Sequence, residues 1–295
     1  MKAKLNTMAK RIKLLDGAVG TGLWEIAEKN GVKKVPVWIY NIEHPEFVVA
    51  LHQGYIHAGA EMILANTFGA NAPAVARSSS YDADTVVAAA VKLAKEAAAG
   101  AGVPVVLSAG PLAQLMEPWG DLTEDEVRST YNRLFESGIK SGADAIMLQT
   151  FIDKDMMRVA AEEAKHFGVP VYCTLTFEKV GKTIMGNSVQ DVIDCLAPLD
   201  INGIGINCSL GPDLAMSVVR EFAEKTSLPV IFKPNAGKPI FAADGSGTTS
   251  YDAASFVRDI LPALPYVDMV GGCCGSNADY IRALKEAITA FESAQ

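Results

Sequence analysis

Apolar and polar positions along this chain alternate between two textures. Short runs rich in Val, Ile, Leu and Met are each followed by a polar or glycine-bearing turn, then by a longer segment whose apolar residues recur with a helical period. Eight such runs read as strands: Lys13 to Asp16, Met62 to Asn66, Pro104 to Ser108, Ala145 to Gln149, Pro170 to Phe177, Gly203 to Asn207, Pro229 to Lys233 and Met269 to Gly272. Helices are predicted over 45–58, 84–99, 123–140, 153–167, 188–197, 213–225, 251–261 and 277–291. Thr123 and Glu126 have the spacing of a capping box, and Ile281, Leu284, Ile288 and Phe291 form one helical stripe. Continuous apolar strands alternating with amphipathic helices mean a mainly parallel sheet covered on both faces, and eight repeats favour closure. The predicted fold is a single (β/α)8 TIM barrel over residues 13–295, preceded by a basic arm over residues 1–12.

A weak internal similarity supports equivalent βα units: Ala58 to Thr67 lines up with Ser141 to Thr150, each ending in a carboxamide followed by threonine. An open doubly wound sheet is the structural alternative. It lacks its usual sign, because the glycines of Asp16 to Gly22 are wrongly spaced for a dinucleotide fingerprint. Gly181-Lys182-Thr183 mimics the tail of a phosphate loop, but Thr176 stands where that motif needs glycine.

Composition narrows the picture. With 49% hydrophobic and 20% charged residues among 295, the chain can bury a large core. The net charge of −8 disfavours phosphate backbones, so no nucleic-acid partner is expected. Five cysteines are too few, and odd in number, for a secreted disulfide framework, which points to a reducing cytoplasmic setting. The basic first residues are not followed by the apolar core of a signal peptide. The most apolar stretches fall well short of the roughly twenty residues that cross a bilayer, so no membrane association is expected.

A barrel of this kind works at the C-terminal ends of its strands, so the residues closing each strand are the candidates. They are Asp16-Gly17, Asn66-Thr67, Ser108, Gln149-Thr150, Thr174 or Thr176, Asn207-Cys208, Asn235 and Cys273-Cys274. All four histidines fall on predicted helices or their approaches, which argues against a histidine metal site or a His-activated nucleophile. Asp16 is the only acid closing a strand, so the paired carboxylates of glycoside chemistry are missing. Cys208 and the pair Cys273-Cys274 would converge at the barrel mouth. Three thiolates suit zinc with a fourth position open, as in catalytic sites. The alternative is that they are small buried hydrophobes, as assumed for Cys173 and Cys195. From spacing alone both stay open, although Gly271-Gly272 and Gly275 around the pair favour bending the backbone toward one ion.

Five ordered motifs then carry a resemblance. Asp16-Gly17-Ala18-Val19-Gly20-Thr21, Asn66-Thr67-Phe68-Gly69-Ala70-Asn71, Gly205-Ile206-Asn207-Cys208 with Gly211-Pro212, Pro234-Asn235-Ala236-Gly237 and Gly271-Gly272-Cys273-Cys274-Gly275 resemble the homocysteine S-methyltransferase family, nearest to its cobalamin-dependent branch. The resemblance implies Zn2+ held by Cys208, Cys273 and Cys274, with a substrate sulfur in the open position. It implies that the backbone near Asp16 and Gly17, with Asn66 and Thr67, holds the amino-acid end of homocysteine, and that Asn235 supplies an oxygen to zinc when substrate is absent. Turn-shaping is the competing role for these strand-end residues. One departure stands out: the family usually closes strand four with Glu-Thr, whereas this chain has Gln149-Thr150. An amide keeps the hydrogen bond to a substrate ammonium but loses its charge assistance, so a thiol other than homocysteine is a real alternative.

None of the four histidines has an aspartate two residues before it, as the family's corrinoid motif requires. The expected methyl donor is therefore a methyl-corrinoid (cobalamin) on a separate protein, with a small betaine or S-methylmethionine type donor as the alternative. A non-catalytic zinc or thiol-binding barrel is the rival from a different class.

Overall fold

The computed structural model describes residues 11–178, 181–208, 211–237, 239–241, 247–249 and 251–295. The predicted basic arm falls almost wholly outside them. Eight parallel strands make one sheet: β1 Lys13–Leu14, β2 Ile63–Leu64, β3 Val105–Ala109, β4 Ala145–Phe151, β5 Val171–Leu175, β6 Gly203–Cys208, β7 Val230–Pro234 and β8 Met269–Val270. Their order is β1-β8-β7-β6-β5-β4-β3-β2. The ring is closed between β1 and β2 by a single parallel bridge, Leu15 to Met62, and by the Glu61 N–H donating to the Leu14 carbonyl at 2.7 Å.

Each predicted helix is present, with ends shifted by a few residues, and the Thr123–Glu126 capping box forms at the start of Glu124–Lys140. Three pieces were not anticipated: helix Val19–Lys29, a short helical stretch at Val37–Glu43, and helix Ala72–Ser78. All three lie on connections that leave the C-terminal ends of β1 and β2, and the first two line the mouth. A small antiparallel hairpin, Pro239–Phe241 with Gly247–Thr249, follows β7.

Alternation along the strands sorts side chains into two cores. Outward positions such as Leu107, Ile146, Ile204 and Phe232 pack under the helices. Inward positions Leu15, Met62, Leu64, Val106, Ala145, Met147, Ile231 and Met269 fill the barrel. Two residues further along the same inward register come Ser108, Gln149, Thr174, Asn207 and Lys233. The barrel is thus apolar below and polar at its mouth. β6 contributes only glycines to the lower layers: a Cβ on Gly205 would stand 1.9 Å from the Ile231 carbonyl oxygen, so its neighbour's backbone occupies that space.

Candidate metal centre and acceptor cleft

The register Cys208 opposite Pro234 brings the end of β6 beside the end of β7. There the Cys273 N–H donates to the Pro234 carbonyl at 2.8 Å, and the Ala236 N–H donates to the Cys274 carbonyl at 2.9 Å. These backbone bonds deliver the adjacent cysteines to Cys208. The cysteine turn is held from below, where the Ser276 N–H and hydroxyl both donate to the Cys273 carbonyl, at 3.0 and 2.7 Å. Gly272 is required for it, since a Cβ would sit 2.2 Å from the Ser276 Oγ. Gly275 is left-handed at φ 83°, and its N–H donates to the Thr21 hydroxyl. Cys208 itself is left-handed at φ 67°, a conformation disfavoured for a side chain with a Cβ and found where surrounding structure enforces it.

The three sulfurs lie within 4.8 Å of one another, with Cys208 and Cys274 3.5 Å apart. Two thiolates bound about 2.3 Å from one tetrahedral ion stand roughly 3.8 Å apart, so the cluster fits a single zinc. Its protonation points the same way. Hydrogen bonds from Cys208 and Cys274 hold Cys273 well below the ordinary thiol range. The bond to Cys273 is the largest cause pushing Cys208 up. For Cys274 the bond with Cys208 pulls down, but Cys273, its charge and burial prevail and push it up to about 12. The three cannot all ionise unless a cation joins them. Beside them the Asn235 Oδ1 is buried without a hydrogen-bond partner, as an oxygen meant for an ion would be. Cys173 and Cys195 stand apart from the cluster, and burial raises both thiols.

The sulfurs open into a cleft of about 350 Å³, also lined by Asp16, Gly17, Asn66 and Gln149 from the sequence-predicted set. Thr67 and Asn235 do not line it. The Thr67 hydroxyl donates to the Ser108 carbonyl at 2.7 Å and accepts from the Ser108 N–H at 3.1 Å, which ties β2 to β3. Asn66 is 2% exposed, and its amide donates to the Val37 carbonyl and to the Asn41 Oδ1, both at 2.8 Å, fastening the unforeseen helical stretch to the mouth. Gln149 donates its Nε2 to the Ser108 hydroxyl at 2.7 Å, which leaves its amide oxygen as the acceptor.

Two residues organise the floor: Lys233, which sequence reasoning missed, and Asn207, which it named only as a strand-closing position. Lys233 is 2% exposed and pairs with fully buried Asp16 at 2.5 Å, also donating to the Asp16 carbonyl at 3.2 Å. The second Asp16 oxygen accepts from the Leu64 N–H at 2.7 Å. Burial raises the Asp16 carboxyl, opposed by the Lys233 charge. Asn207 gathers three strands: its Oδ1 accepts from the Thr150 N–H and the Thr174 hydroxyl, and its Nδ2 donates to the Thr150 hydroxyl and lies 3.8 Å from the Cys273 sulfur. The signal for both was positional, a polar side chain two residues beyond an inward apolar or glycine position.

Comparison with known proteins places this geometry. Two curated relatives, methionine synthases of Mycobacterium leprae and Mycobacterium tuberculosis, are each 27% identical over 311 residues, which cover 96% of this chain. The chain spans about a quarter of their length. The metallated crystal form of the homocysteine methyltransferase MmuM from Escherichia coli superposes with a TM-score of 0.78 at 21% identity, covering 94% of this chain and 96% of that one, which establishes the shared barrel fold. A family model described as homocysteine S-methyltransferase matches residues 13–288, from the first strand into the last helix, and the chain accordingly belongs to the homocysteine S-methyltransferase family.

Proposed function

We propose that residues 13–295 form a zinc-dependent S-methyltransferase domain that moves a methyl group from a methyl-corrinoid protein, supplied in trans, to a thiol acceptor. Homocysteine, giving methionine, is the acceptor that the family name directs to the first assay. The observation carrying this reading is the preformed trio of Cys208, Cys273 and Cys274 at the head of a cleft large enough for a small thiol. Zinc bound to the trio would supply the charge that keeps the acceptor sulfur as a thiolate at neutral pH, where a free thiol near pKa ~8.5 is mostly protonated. The protein's own residues do the remainder. Asn207 and the Ser276 hydroxyl fix the orientation of Cys273. Val19, Val37, Trp38 and Phe68 line the cleft with apolar surface that excludes water from the attacking sulfur. The sulfur lone pair forms the new bond to the methyl carbon while the carbon–donor bond breaks, its electron pair leaving with the donor.

A donor carried on a protein is supported by the mouth. Of the large hydrophobic side chains exposed among the described residues, Phe68, Trp119 and Ile184 lie on loops that leave the C-terminal end of a strand, Trp24 and Leu214 on helices that follow one, with Trp24 and Phe68 lining the cleft, and Leu261 lies past the end of helix Ala253–Ile260. Trp119 is 73% exposed and Ile184 66%. Such side chains suit a docking rim better than free solution.

Metal analysis of purified protein should give close to one zinc per chain, and Cys273→Ala should lose most of the metal and essentially all methyl transfer. Cys173→Ser and Cys195→Ser should keep both. Full zinc content in Cys273→Ala would sink the metal assignment. Zinc and thiol binding without turnover at any concentration of methylated corrinoid protein would favour a binding barrel instead.

A further inference from the structure

We propose that the cleft selects an acceptor thiol whose far end is anionic and carries no ammonium group, such as a thiol carboxylate or thiol sulfonate. This rests on the reading that a thiol is the acceptor, and narrows its chemical class. Among the described residues lining the cleft, the only charged side chains apart from the thiols are Asp16 and Lys233. Each Asp16 oxygen already accepts a hydrogen bond, one from Lys233 and one from the Leu64 N–H, and the Lys233 ammonium balances the carboxylate charge. No second described carboxylate lines the cleft to meet a substrate ammonium. The other acceptors lining it, the amide oxygens of Gln149 and Asn66, the hydroxyls of Thr21, Ser108 and Thr150 and backbone carbonyls, are neutral, and an ammonium brought into the cleft also meets the Lys233 cation.

Donors, by contrast, are in surplus. Lys233 gives two of its three hydrogens to Asp16, at the carboxylate and the carbonyl, and keeps one. The Trp38 Nε1 is buried without a hydrogen-bond partner, and Trp38 lines the cleft. Helix Val19–Lys29 starts at the cleft with no capping side chain on its first-turn N–H groups. An anionic group satisfies donors of this kind, whereas an ammonium adds to them.

Protein loaded with Co2+ in place of zinc reports thiol binding through its sulfur-to-metal absorption, and three probes separate the cases: 3-mercaptopropionate, 2-mercaptoethanol and homocysteine. The expected order is 3-mercaptopropionate tightest, by about tenfold or more over homocysteine, the size of one charge-assisted hydrogen bond. Gln149→Glu adds a carboxylate next to the cleft without touching the cysteines, and should reverse the order of those two thiols. Homocysteine binding as tightly as 3-mercaptopropionate in the unmodified protein, or an order unchanged by Gln149→Glu, overturns the inference while leaving the methyltransferase reading intact. If none of the three thiols perturbs the cobalt spectrum, the thiol-acceptor reading falls and this inference with it.

Discussion

His52 is the residue whose chemistry is least expected from its surroundings. It sits fully buried on helix Pro45–His57, and neither ring nitrogen has a hydrogen-bond partner. Burial lowers its pKa to about 4. In the unfolded chain the ring takes up a proton as pH falls below about 6.5, while in the folded chain it resists until about 4. Stability contributed by the neutral ring is therefore present above that window and lost on descending through it, by about 3 kcal/mol in total. His52→Met should flatten this loss: the gap in denaturation midpoint between variant and parent should shift in the variant's favour from pH 7 to pH 4. A constant gap would mean that the ring titrates normally. Single residues differ sharply in how legible they are from sequence. Cys208, Cys273 and Cys274 announce themselves through residue type and their glycine neighbours. Lys233 does not, and Asn207 only as the residue before Cys208, since their roles depend on which strand positions face inward, and that requires the register of the closed barrel. Asp16 stands out in the sequence for the backbone it shares with Gly17, which lines the cleft, and its carboxylate has a separate role in the pair with Lys233.

At the scale of elements, the strands and outer helices were readable because each carries a single strong period. Helix Val19–Lys29 was hidden by Gly20 and Gly22, which local propensity sets against a helix by about 1 kcal/mol each. Gly22 is explained by packing: a Cβ there would lie 2.8 Å from a methyl of Leu51 on the neighbouring helix. Close approach of two elements overrode propensity, and only the folded arrangement reveals it. The same logic gives a test on β6. Gly205→Ala places a methyl against the Ile231 backbone, which cannot turn aside as a side chain would, and should cost about 3 kcal/mol or more. Gly20→Ala meets nothing within 4 Å in a helical position and should stabilise by about 0.5–1 kcal/mol. Urea midpoints of the two variants moving in the same direction would contradict this account of the barrel's packing.

For the molecule as a whole, closure was predicted from counting eight βα units, but not where the closure is thinnest. β1 and β2 are two-residue strands joined by one bridge, and a side chain completes what the backbone leaves unpaired. Along β2 the Ile63 and Ala65 amides donate to the Pro104 and Val106 carbonyls, while the Leu64 amide between them points across the seam to the Asp16 carboxylate. Its protection from solvent deuterium therefore depends on an ion pair whose lysine lies three strands further round the barrel. Lys233→Met should speed deuterium uptake at Leu64 by about ten- to a hundredfold, the weight of a charge-assisted bond, and leave Ile63 and Ala65 slow. Equal acceleration at all three amides would mean that the strand opens as a unit. A single amide would then serve as a clock for the integrity of the cleft floor, readable without substrate, metal or donor.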